Sequence, residues 1–339
     1  MFRDRVVHHL YFNYTHELFE RTFIQDSYSC IKGRGTHYGI ERLRMHMRKE
    51  SQNWSQPCYA MNLDIRGYFM HIDRHRLLQI ATDTIRKMAT HHVRHDAPQT
   101  WADIIDIDFI CYLTAEIVML DPKTSCEIVG FKEDWIGLDR NKSLFYTPDG
   151  CGLPIGNLTS QLFSNVYLNV FDQFMKRTLG CRHYGRYVDD SFVISADRQW
   201  LLSIVPAIRT FLQDELGLEL HMGKLHVRSI SQGVEFLGAF VKPYRTYVSN
   251  KTLARMVKNL RELDTHDKEH VRCSVNSYLG VLSHSASYNI RRQLFLNSKA
   301  ARFMEFDADL LKGKLKCDFK TIIKTTKKSN YEQNLWIDQ

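Results

Sequence analysis

The chain has 339 residues, 44% of them hydrophobic, which is enough to bury a large core and predicts two or three subdomains. Its net charge of +8 favours an anionic partner, with nucleic acid as the first candidate and a solvated basic surface as the alternative. Eight scattered cysteines without a Cys-x-x-Cys pair argue against a disulfide framework or a zinc site and predict reduced thiols in a cytosolic protein. No apolar run approaches about eighteen residues and no signal-peptide layout is present, so neither a membrane span nor secretion is predicted.

The first 57 residues combine a helix with a glycine-rich loop. An amphipathic helix at the start of the chain is predicted by the spacing of Val6, Val7, Leu10 and Tyr14. In residues 29–37, two glycines flank Arg34 next to Lys32, a composition that suits a flexible cradle for phosphates. A solvated turn fits the same residues equally well.

The middle of the chain predicts one sheet and several helices. A strand ends at Asp64, and a helix capped by Asp73 follows it. Further helices are predicted over 101–120, from Ser160 onward, and over 197–216, where Pro206 introduces a kink. Residues 121–150 are expected to form a loop or a short hairpin. This order of elements predicts an α+β fold in which an antiparallel sheet carries helices on one face.

Beyond residue 245 the sequence becomes helical and basic. A helix is predicted by the spacing of Leu253, Met256, Leu260 and Leu263. Basic residues continue to the end of the chain, at Lys312, Lys314, Lys316, Lys320, Lys324, Lys327 and Lys328. This composition predicts a helical region that could clamp a nucleic-acid duplex, with a charged, solvated bundle as the alternative.

Three aspartates are candidate metal ligands. Asp189 and Asp190 lie where an alternating apolar pattern reverses direction, at the tip of a predicted hairpin, and Asp64 follows an earlier strand. Aspartates are common in turns for local reasons, but carboxylates from two strand ends that meet can hold two cations about 4 Å apart. Such a pair of cations serves in-line phosphoryl transfer, and hard oxygen ligands suit two Mg²⁺ ions, with Mn²⁺ as a substitute. The trio predicts the palm of a nucleotidyl transferase.

Taken in order, the motifs resemble those of bacterial reverse transcriptases over nearly the whole chain. The matching segments are the loop at 32–37, the first palm motif at 64–69, the metal-binding hairpin at 187–190, a lysine motif at 217–224 and the primer-gripping hairpin at 234–240. Segment 152–161 looks like the signature of diversity-generating retroelement reverse transcriptases. Ile155 precedes Gly156 where most reverse transcriptases have glutamine, and the segment ends in Ser160 and Gln161. Segments 142–145 and 277–282 agree with this group.

The resemblance implies roles at the catalytic centre. Asp64 and Asp189 would hold both Mg²⁺ ions together with the backbone carbonyl of Ile65, and Asp190 would complete the negative pocket as a further candidate ligand. Lys224 would act as general acid for the departing pyrophosphate, with a lysine on a solvated strand edge as the alternative.

The resemblance also implies substrate contacts. Lys32 and Arg34 would bind the incoming triphosphate, Arg34 with a bidentate fork that lysine lacks. Phe69 lies where the family places a bulky side chain against the sugar, so it would exclude a 2′-hydroxyl, whereas Tyr68 is expected to pack in the core. The remaining substrate-binding candidates share one motif: Ile155, Gly156, Ser160 and Gln161.

Ile155 leads to a hypothesis about fidelity. A glutamine there could hydrogen-bond near the templating pair or the incoming sugar, and isoleucine leaves only shape. Loss of hydrogen bonding worth a few kcal/mol or less is enough to reduce base discrimination about tenfold. The resemblance implies error-prone copying of template adenine. It also implies template RNA, an RNA/DNA duplex and dNTPs as partners, a ring-forming accessory variability protein, and a cytoplasmic, bacterial or phage-encoded enzyme.

The implied architecture is a right-hand polymerase with a ferredoxin-like palm. Residues 1–57 would form the fingers, shortened because family members usually carry several tens of residues before segment 2–9. Residues 58–245 would form the palm, with a fingers insertion around 85–155. Residues 246–339 would form a helical, basic thumb and a C-terminal tail.

Three other functions compete with this one. The first is a group II intron or retron-type reverse transcriptase of ordinary fidelity. The second is an RNA-dependent RNA polymerase, which would be expected to show glycine before the aspartate pair, where this chain has Val188. The third is a catalytically impaired RNA-binding remnant.

Overall fold

The computed structural model describes residues 2–94, 96, 98–124, 126, 129–264 and 266–316. The chain divides into two compact units, Met1–Leu237 and Gly238–Gln339, and each is described by itself. No helix within the described ranges is long and apolar enough to cross a membrane.

The first unit combines eight α-helices with five strands among its described residues. The helices are α1 (Phe2–Glu20), α2 (Thr36–Glu50), α3 (Tyr68–His71), α4 (Arg74–Met88), α5 (Ile107–Met119), α6 (Leu158–Gln173), α7 (Arg198–Ser203) and α8 (Val205–Leu216). The strands are β1 (Tyr59–Leu63), β2 (His183–Tyr187), β3 (Asp190–Ser195), β4 (His226–Ser229) and β5 (Val234–Phe236).

Four of these strands form an antiparallel sheet in the order β2-β3-β1-β4. One face carries Met61, Tyr184 and Val193, which join the main core formed with α1, α4, α5, α6 and α8. The neighbouring residue Phe192 points to the other face, since side chains alternate along a strand, and it packs against Tyr28 and against His46 of α2. The predicted α+β class is confirmed, whereas the expectation of helices on one face is wrong because α2 covers the second face.

The second face explains one glycine. A Cβ atom on Gly185 of β2 would collide with the Tyr28 hydroxyl and would lie 2.7 Å from Phe192 Cζ. Tyr28 is fully buried. Only glycine therefore leaves room for the Tyr28 side chain beside β2.

The N-terminal helix is confirmed, but its predicted buried face is wrong. The four residues that suggested an apolar face are all exposed: Val6, Val7, Leu10 and Tyr14. The helix instead buries Tyr11, Thr15, Leu18 and Phe19. Tyr11 packs against Phe163 of α6, and its hydroxyl lies 2.7 Å from Thr114 Oγ1 of α5. Contacts with α5 and α6 therefore decide which stripe of α1 enters the core.

Other helices differ from the predictions at their ends. The side chain of Asp73 accepts hydrogen bonds from the first N–H groups of α4, so the predicted cap is confirmed. The region predicted as one helix over 197–216 is divided into α7 and α8 at Ile204, with Pro206 in the first turn of α8, where its missing N–H costs nothing. Residues 121–150 contain three short 3₁₀ helices, Lys132–Trp135, Arg140–Lys142 and Leu144–Tyr146, in their described part.

The second unit contains the hairpin strands β6 (Ala239–Lys242) and β7 (Arg245–Val248), helices α9 (Asn250–Glu262), α10 (Lys268–Ser283) and α11 (Tyr288–Leu296), and a hairpin of β8 (Met304–Phe306) and β9 (Gly313–Leu315). Its core is formed by Met256, Leu260, Val271, Val275, Leu279, Leu282 and Phe295, among others. The predicted helix around residues 253–263 is confirmed as α9. Basic residues on its surface are exposed, namely Lys251, Arg255, Lys258 and Arg261. The predicted basic tail at Lys320, Lys324, Lys327 and Lys328 lies outside the described residues.

Two histidines join α2 to the sheet. His46 Nδ1 and His183 Nδ1 are 2.9 Å apart, so the N–H of one ring donates a hydrogen bond to the bare nitrogen of the other. His183 Nε2 lies 3.2 Å from Glu50 Oε2. Burial lowers the pKa of His183 to about 4, and His46, Arg182 and Lys176 act in the same direction, while Glu50 opposes them. The folded chain therefore holds His183 neutral.

We expect acid to weaken these contacts between α2 and the sheet before it affects most of the fold. An unfolded His183 has its ordinary pKa of 6.5. The unfolded state therefore binds a proton first, and stability is lost as the pH falls from 6.5 towards 4, by at most about 1.4 kcal/mol per pH unit for one proton. His183→Gln should show a smaller shift of the urea midpoint between pH 7 and pH 5 than the wild type. His91→Gln, at an exposed position, should keep the wild-type shift. Equal shifts in all three proteins would contradict the assignment.

Candidate active site

The Asp189–Asp190 pair lies on a tight hairpin turn. Tyr187 pairs with Asp190 at the end of the β2–β3 ladder, which leaves Val188 and Asp189 as the two turn residues. Val188 has a φ of 55°, in the left-handed region that β-branched residues rarely adopt. Such a conformation costs of order 1–3 kcal/mol and persists only where the surroundings impose it. The predicted hairpin is present, and its turn is strained.

Asp64 lies at the same edge of the sheet. Leu63, the last residue of β1, pairs with Ser191 on β3, so the next residue in register reaches the level of Asp190. Asp64 and Asp189 are half-buried, and Asp190 is exposed. Antiparallel pairing therefore brings the three predicted carboxylates to one end of the central strands.

Lys224 forms an ion pair with Asp64. Its Nζ lies 2.8 Å from Asp64 Oδ2. Backbone hydrogen bonds place the lysine segment there: the Asp64 carbonyl accepts from the His221 N–H, and the Arg66 N–H donates to the Glu219 carbonyl. These two bonds flank Ile65, which is buried, and neither uses its carbonyl oxygen.

The four charged groups at this edge act on one another. Burial raises the pKa of Asp189, and the charge of Asp64 raises it further, while Lys224 and Arg186 oppose the change. The hydrogen bond to Asp64 raises the pKa of Lys224, and the charges of Asp190 and Asp189 add to that effect. The edge therefore carries an excess of negative charge that one ammonium group partly neutralises.

A buried ion pair beneath the turn was not predicted from the sequence. Arg186 of β2 is fully buried and binds Asp172 of α6 through two parallel hydrogen bonds of 2.7 Å, Nε to Oδ1 and Nη2 to Oδ2. The Tyr184 hydroxyl donates to the same carboxylate at 2.7 Å. Arg186 Nη1 donates to the Val188 carbonyl at 2.8 Å. The sequence offered two signals of this ion pair: an aspartate within the apolar stripe of α6 and an arginine within a strand.

Ser29 and Asn165 complete this network. The Ser29 hydroxyl accepts from the Val188 N–H at 3.2 Å and donates to Asn165 Oδ1 at 2.9 Å. Asn165 Nδ2 donates to the Ser29 carbonyl at 2.8 Å. Asn165 lies on α6 and is buried, as is Ser29. The start of the glycine-rich loop is therefore attached directly to the aspartate turn.

The two phosphate-binding candidates of that loop differ in their surroundings. Arg34 is half-buried, and its Nη1 donates to the carbonyls of Ile24 and Ser27 at 3.2 and 3.0 Å. Lys32 is exposed. The guanidinium of Arg34 thus stabilises the loop in this structure, and its predicted role towards a triphosphate stays a prediction.

Segment 152–161 lies beside the predicted sugar gate. The Leu153 N–H donates to the Phe69 carbonyl and the Gly152 N–H to the Ile72 carbonyl, both at 2.9 Å. Phe69 is half-buried, whereas Tyr68 is buried and donates its hydroxyl to the Ser164 carbonyl.

The tip of the same segment projects into solvent. Ile155 is 71% exposed. Gly156 follows with a φ of 113°, which a side chain would strain. Ser160 is buried near the start of α6, and Gln161 beside it is exposed. The structure therefore brings the Ile155 loop and Phe69 together but leaves the Ile155 side chain without a packing role.

A family match agrees with this arrangement. The family described as "Reverse transcriptase (RNA-dependent DNA polymerase)" matches residues 2–241, which include the three aspartates, Lys224 and the glycine-rich loop. The match covers well over half of the chain.

The chain belongs to the reverse transcriptase family.

Structural comparison gives telomerases at low similarity. The apo telomerase of Candida tropicalis matches with a TM-score of 0.49 and 12% identity over 86% of this chain and 47% of its own. The telomerase of Candida albicans in complex with a fragment of telomeric RNA matches with a TM-score of 0.45 and 9% identity over 86% of this chain and 46% of its own. This chain thus spans about half the length of those proteins, and at these scores the likeness adds nothing to the family assignment. Curated proteins give no match.

The acidic edge fits a divalent cation in its chemistry, although it is not a preformed cage. Among the described residues, no three acidic, histidine or cysteine side chains are already arranged to hold a metal ion. Mg²⁺ commonly takes one or two carboxylates and completes its shell with substrate phosphates and water. Burial and, after it, the charge of Asp64 raise the pKa of Asp189, and the Lys224 ammonium already lies beside Asp64 where a cation would bind. Asp64 and Asp189 are therefore suitable ligands.

Removing the Lys224 charge should tighten metal binding in the absence of nucleotide. The Lys224 side chain is 59% exposed, and a pair of this kind is worth about 0.2–1 kcal/mol, so Lys224→Met should increase Mn²⁺ affinity by a factor of roughly 1.4 to 5. Electron paramagnetic resonance of free Mn²⁺ measures this directly. Lys87→Met removes an exposed lysine from α4 and should leave the affinity unchanged. Weaker binding in Lys224→Met would show that the ammonium does not compete for Asp64.

Proposed function

We propose that this chain is the RNA-directed DNA polymerase of a diversity-generating retroelement, which makes error-prone cDNA from a template RNA. The observation that carries the polymerase part is the edge at which Asp64, Asp189, Asp190 and Lys224 meet, within a chain of the reverse transcriptase family. The observation that favours the diversifying role is Ile155, an apolar side chain exposed at the tip of the loop that is hydrogen-bonded to the Phe69 backbone.

The residues of the chain would divide the work as follows. Asp64 and Asp189, with the Ile65 carbonyl, would hold two Mg²⁺ ions, and Asp190 would add negative charge at the rim. When bound, such ions lower the pKa of a primer 3′-hydroxyl and neutralise the triphosphate. Lys224 would leave Asp64 once metal binds and would then be free to protonate the departing pyrophosphate. The long, flexible lysine stem makes this exchange inexpensive.

Substrate choice would depend on Phe69 and the loops around it. Phe69 is held against the core next to Tyr68, so its ring has little freedom to move away from a 2′-hydroxyl. Lys32 would reach the triphosphate from the glycine-rich loop. Template RNA, the RNA/DNA duplex, dNTPs and a ring-forming accessory variability protein are the partners this function requires. Residues 1–57, 58–245 and 246–339 would then serve as fingers, palm and thumb.

The polymerase activity should depend on Asp189. Asp189→Asn retains size but removes a metal-binding charge, so primer extension on an RNA template with Mg²⁺ should fall at least about a hundredfold. Asp83→Asn, at an exposed position on α4, is the matched control and should extend normally. Absence of synthesis by the wild type, with and without a cognate accessory protein, would favour an RNA-binding remnant.

The copying errors should depend on Ile155. Ile155→Gln restores an amide that can hydrogen-bond near the nascent pair, so misincorporation opposite template adenine should fall about tenfold in single-nucleotide assays. Ile155→Leu provides no such group and should keep the wild-type error spectrum. Accurate copying by the wild type at every template base would leave an ordinary reverse transcriptase of the intron or retron kind.

A further inference from the structure

The conformation of Val188 is imposed from outside the turn. A β-branched residue at a φ of 55° is disfavoured on its own, and the adjacent residue is the proposed metal ligand Asp189. Both backbone polar groups of Val188 are held by side chains outside the two turn residues: its N–H by Ser29 Oγ at 3.2 Å and its carbonyl by Arg186 Nη1 of β2 at 2.8 Å. The peptide units on both sides of Val188 are therefore fixed.

The two holding groups are themselves fixed, and one residue links them. Arg186 is locked by its paired hydrogen bonds to Asp172. Asn165 Oδ1 accepts from both the Ser29 hydroxyl at 2.9 Å and Arg186 Nη1 at 3.3 Å. All these side chains are buried, so water does not compete for the bonds.

The segment before Ser29 is fastened to the same strand. The Tyr28 N–H donates to the Arg186 carbonyl, and the Arg186 N–H donates to the Asp26 carbonyl, both at 2.9 Å. Ser29 therefore cannot drift away from the turn while β2 is intact. These backbone hydrogen bonds therefore fix the position of the Ser29 hydroxyl relative to β2.

We propose that Ser29, Asn165 and Arg186 are positioning residues that hold the Val188–Asp189 peptide in its left-handed turn and so aim the Asp189 carboxylate at the metal site. The inference rests on the proposed metal role of Asp189. None of the three needs to contact metal or substrate, since each acts through the Val188 backbone. Because Ser29 also opens the glycine-rich loop, the turn and the loop are positioned by one network.

Ser29→Ala is the most informative variant. It removes one hydroxyl and leaves the buried Arg186–Asp172 pair intact, whereas substitution of Arg186 would strand a buried carboxylate and could unfold the chain. Loss of the bond that the hydroxyl accepts from the Val188 N–H should weaken Mn²⁺ binding, and raise the Mg²⁺ concentration needed for half-maximal primer extension, about threefold to tenfold. The kcat at saturating Mg²⁺ should change little. Ser29→Thr keeps the hydroxyl and should behave as the wild type, and Ser203→Ala, at an exposed serine, is the control.

A double-mutant cycle separates positioning from a general structural role. Glycine adopts the left-handed conformation without strain, so Val188→Gly should need the network less. In that background, Ser29→Ala should weaken Mn²⁺ binding by less than about twofold. Equal losses in both backgrounds, or an unchanged metal affinity in Ser29→Ala, would overturn the proposal.

The direct binding measurement distinguishes the two hypotheses. A wild type that binds Mn²⁺ through Asp189 but extends no primer would contradict the proposed function, while the cycle would still test positioning. If Asp189→Asn binds Mn²⁺ as tightly as the wild type does, Asp189 is not a metal ligand, and the positioning proposal is overturned with it.

Discussion

The ion pair between Arg186 and Asp172 is the interaction on which the acidic edge depends. Both side chains are removed from water, and the pair has close to ideal bidentate geometry. Burial by itself would lower the pKa of Arg186, but the Asp172 charge raises it above its ordinary value, so the guanidinium stays charged. Loss of either partner would leave a buried charge uncompensated, at about 3–5 kcal/mol. The pair joins α6 to β2, and the hairpin turn, the 26–29 segment and the start of the glycine-rich loop are all attached to it.

Local features of the fold were predictable because neighbouring residues determine them. Asp73 as a helix cap, the hairpin at Asp189 and the helix at 250–262 follow from short-range hydrogen bonding and periodicity. The buried face of α1 was not predictable in this way. That helix carries two apolar stripes, and the stripe that includes Tyr11 is the one that packs on α5 and α6. A single sequence contains no information on which stripe meets a complementary surface.

The same distinction between local features and long-range contacts applies to the candidate site. The sequence placed Asp64 after a strand and the aspartate pair at a hairpin, because a strand pattern followed by acids is visible locally. Contacts between distant residues were not visible. Lys224 meets Asp64 across 160 positions, and Ser29 meets Asn165 across 136. A polar residue within an apolar stripe, such as Asp172, is a signal that something buried must pair with it, but the partner becomes known only when the strands are in register.

On the proposed function, the exposure of Ile155 separates the accuracy of copying from the stability of the fold. Substitutions at positions without a packing role usually alter the free energy of unfolding by less than about 0.5 kcal/mol. Asp189, by contrast, lies next to a buried network in which most substitutions would lower the free energy of unfolding of the first unit. On the proposed function, substitutions at this single codon can therefore raise or lower the error rate of the polymerase during evolution. Selection for a stable fold does not oppose them.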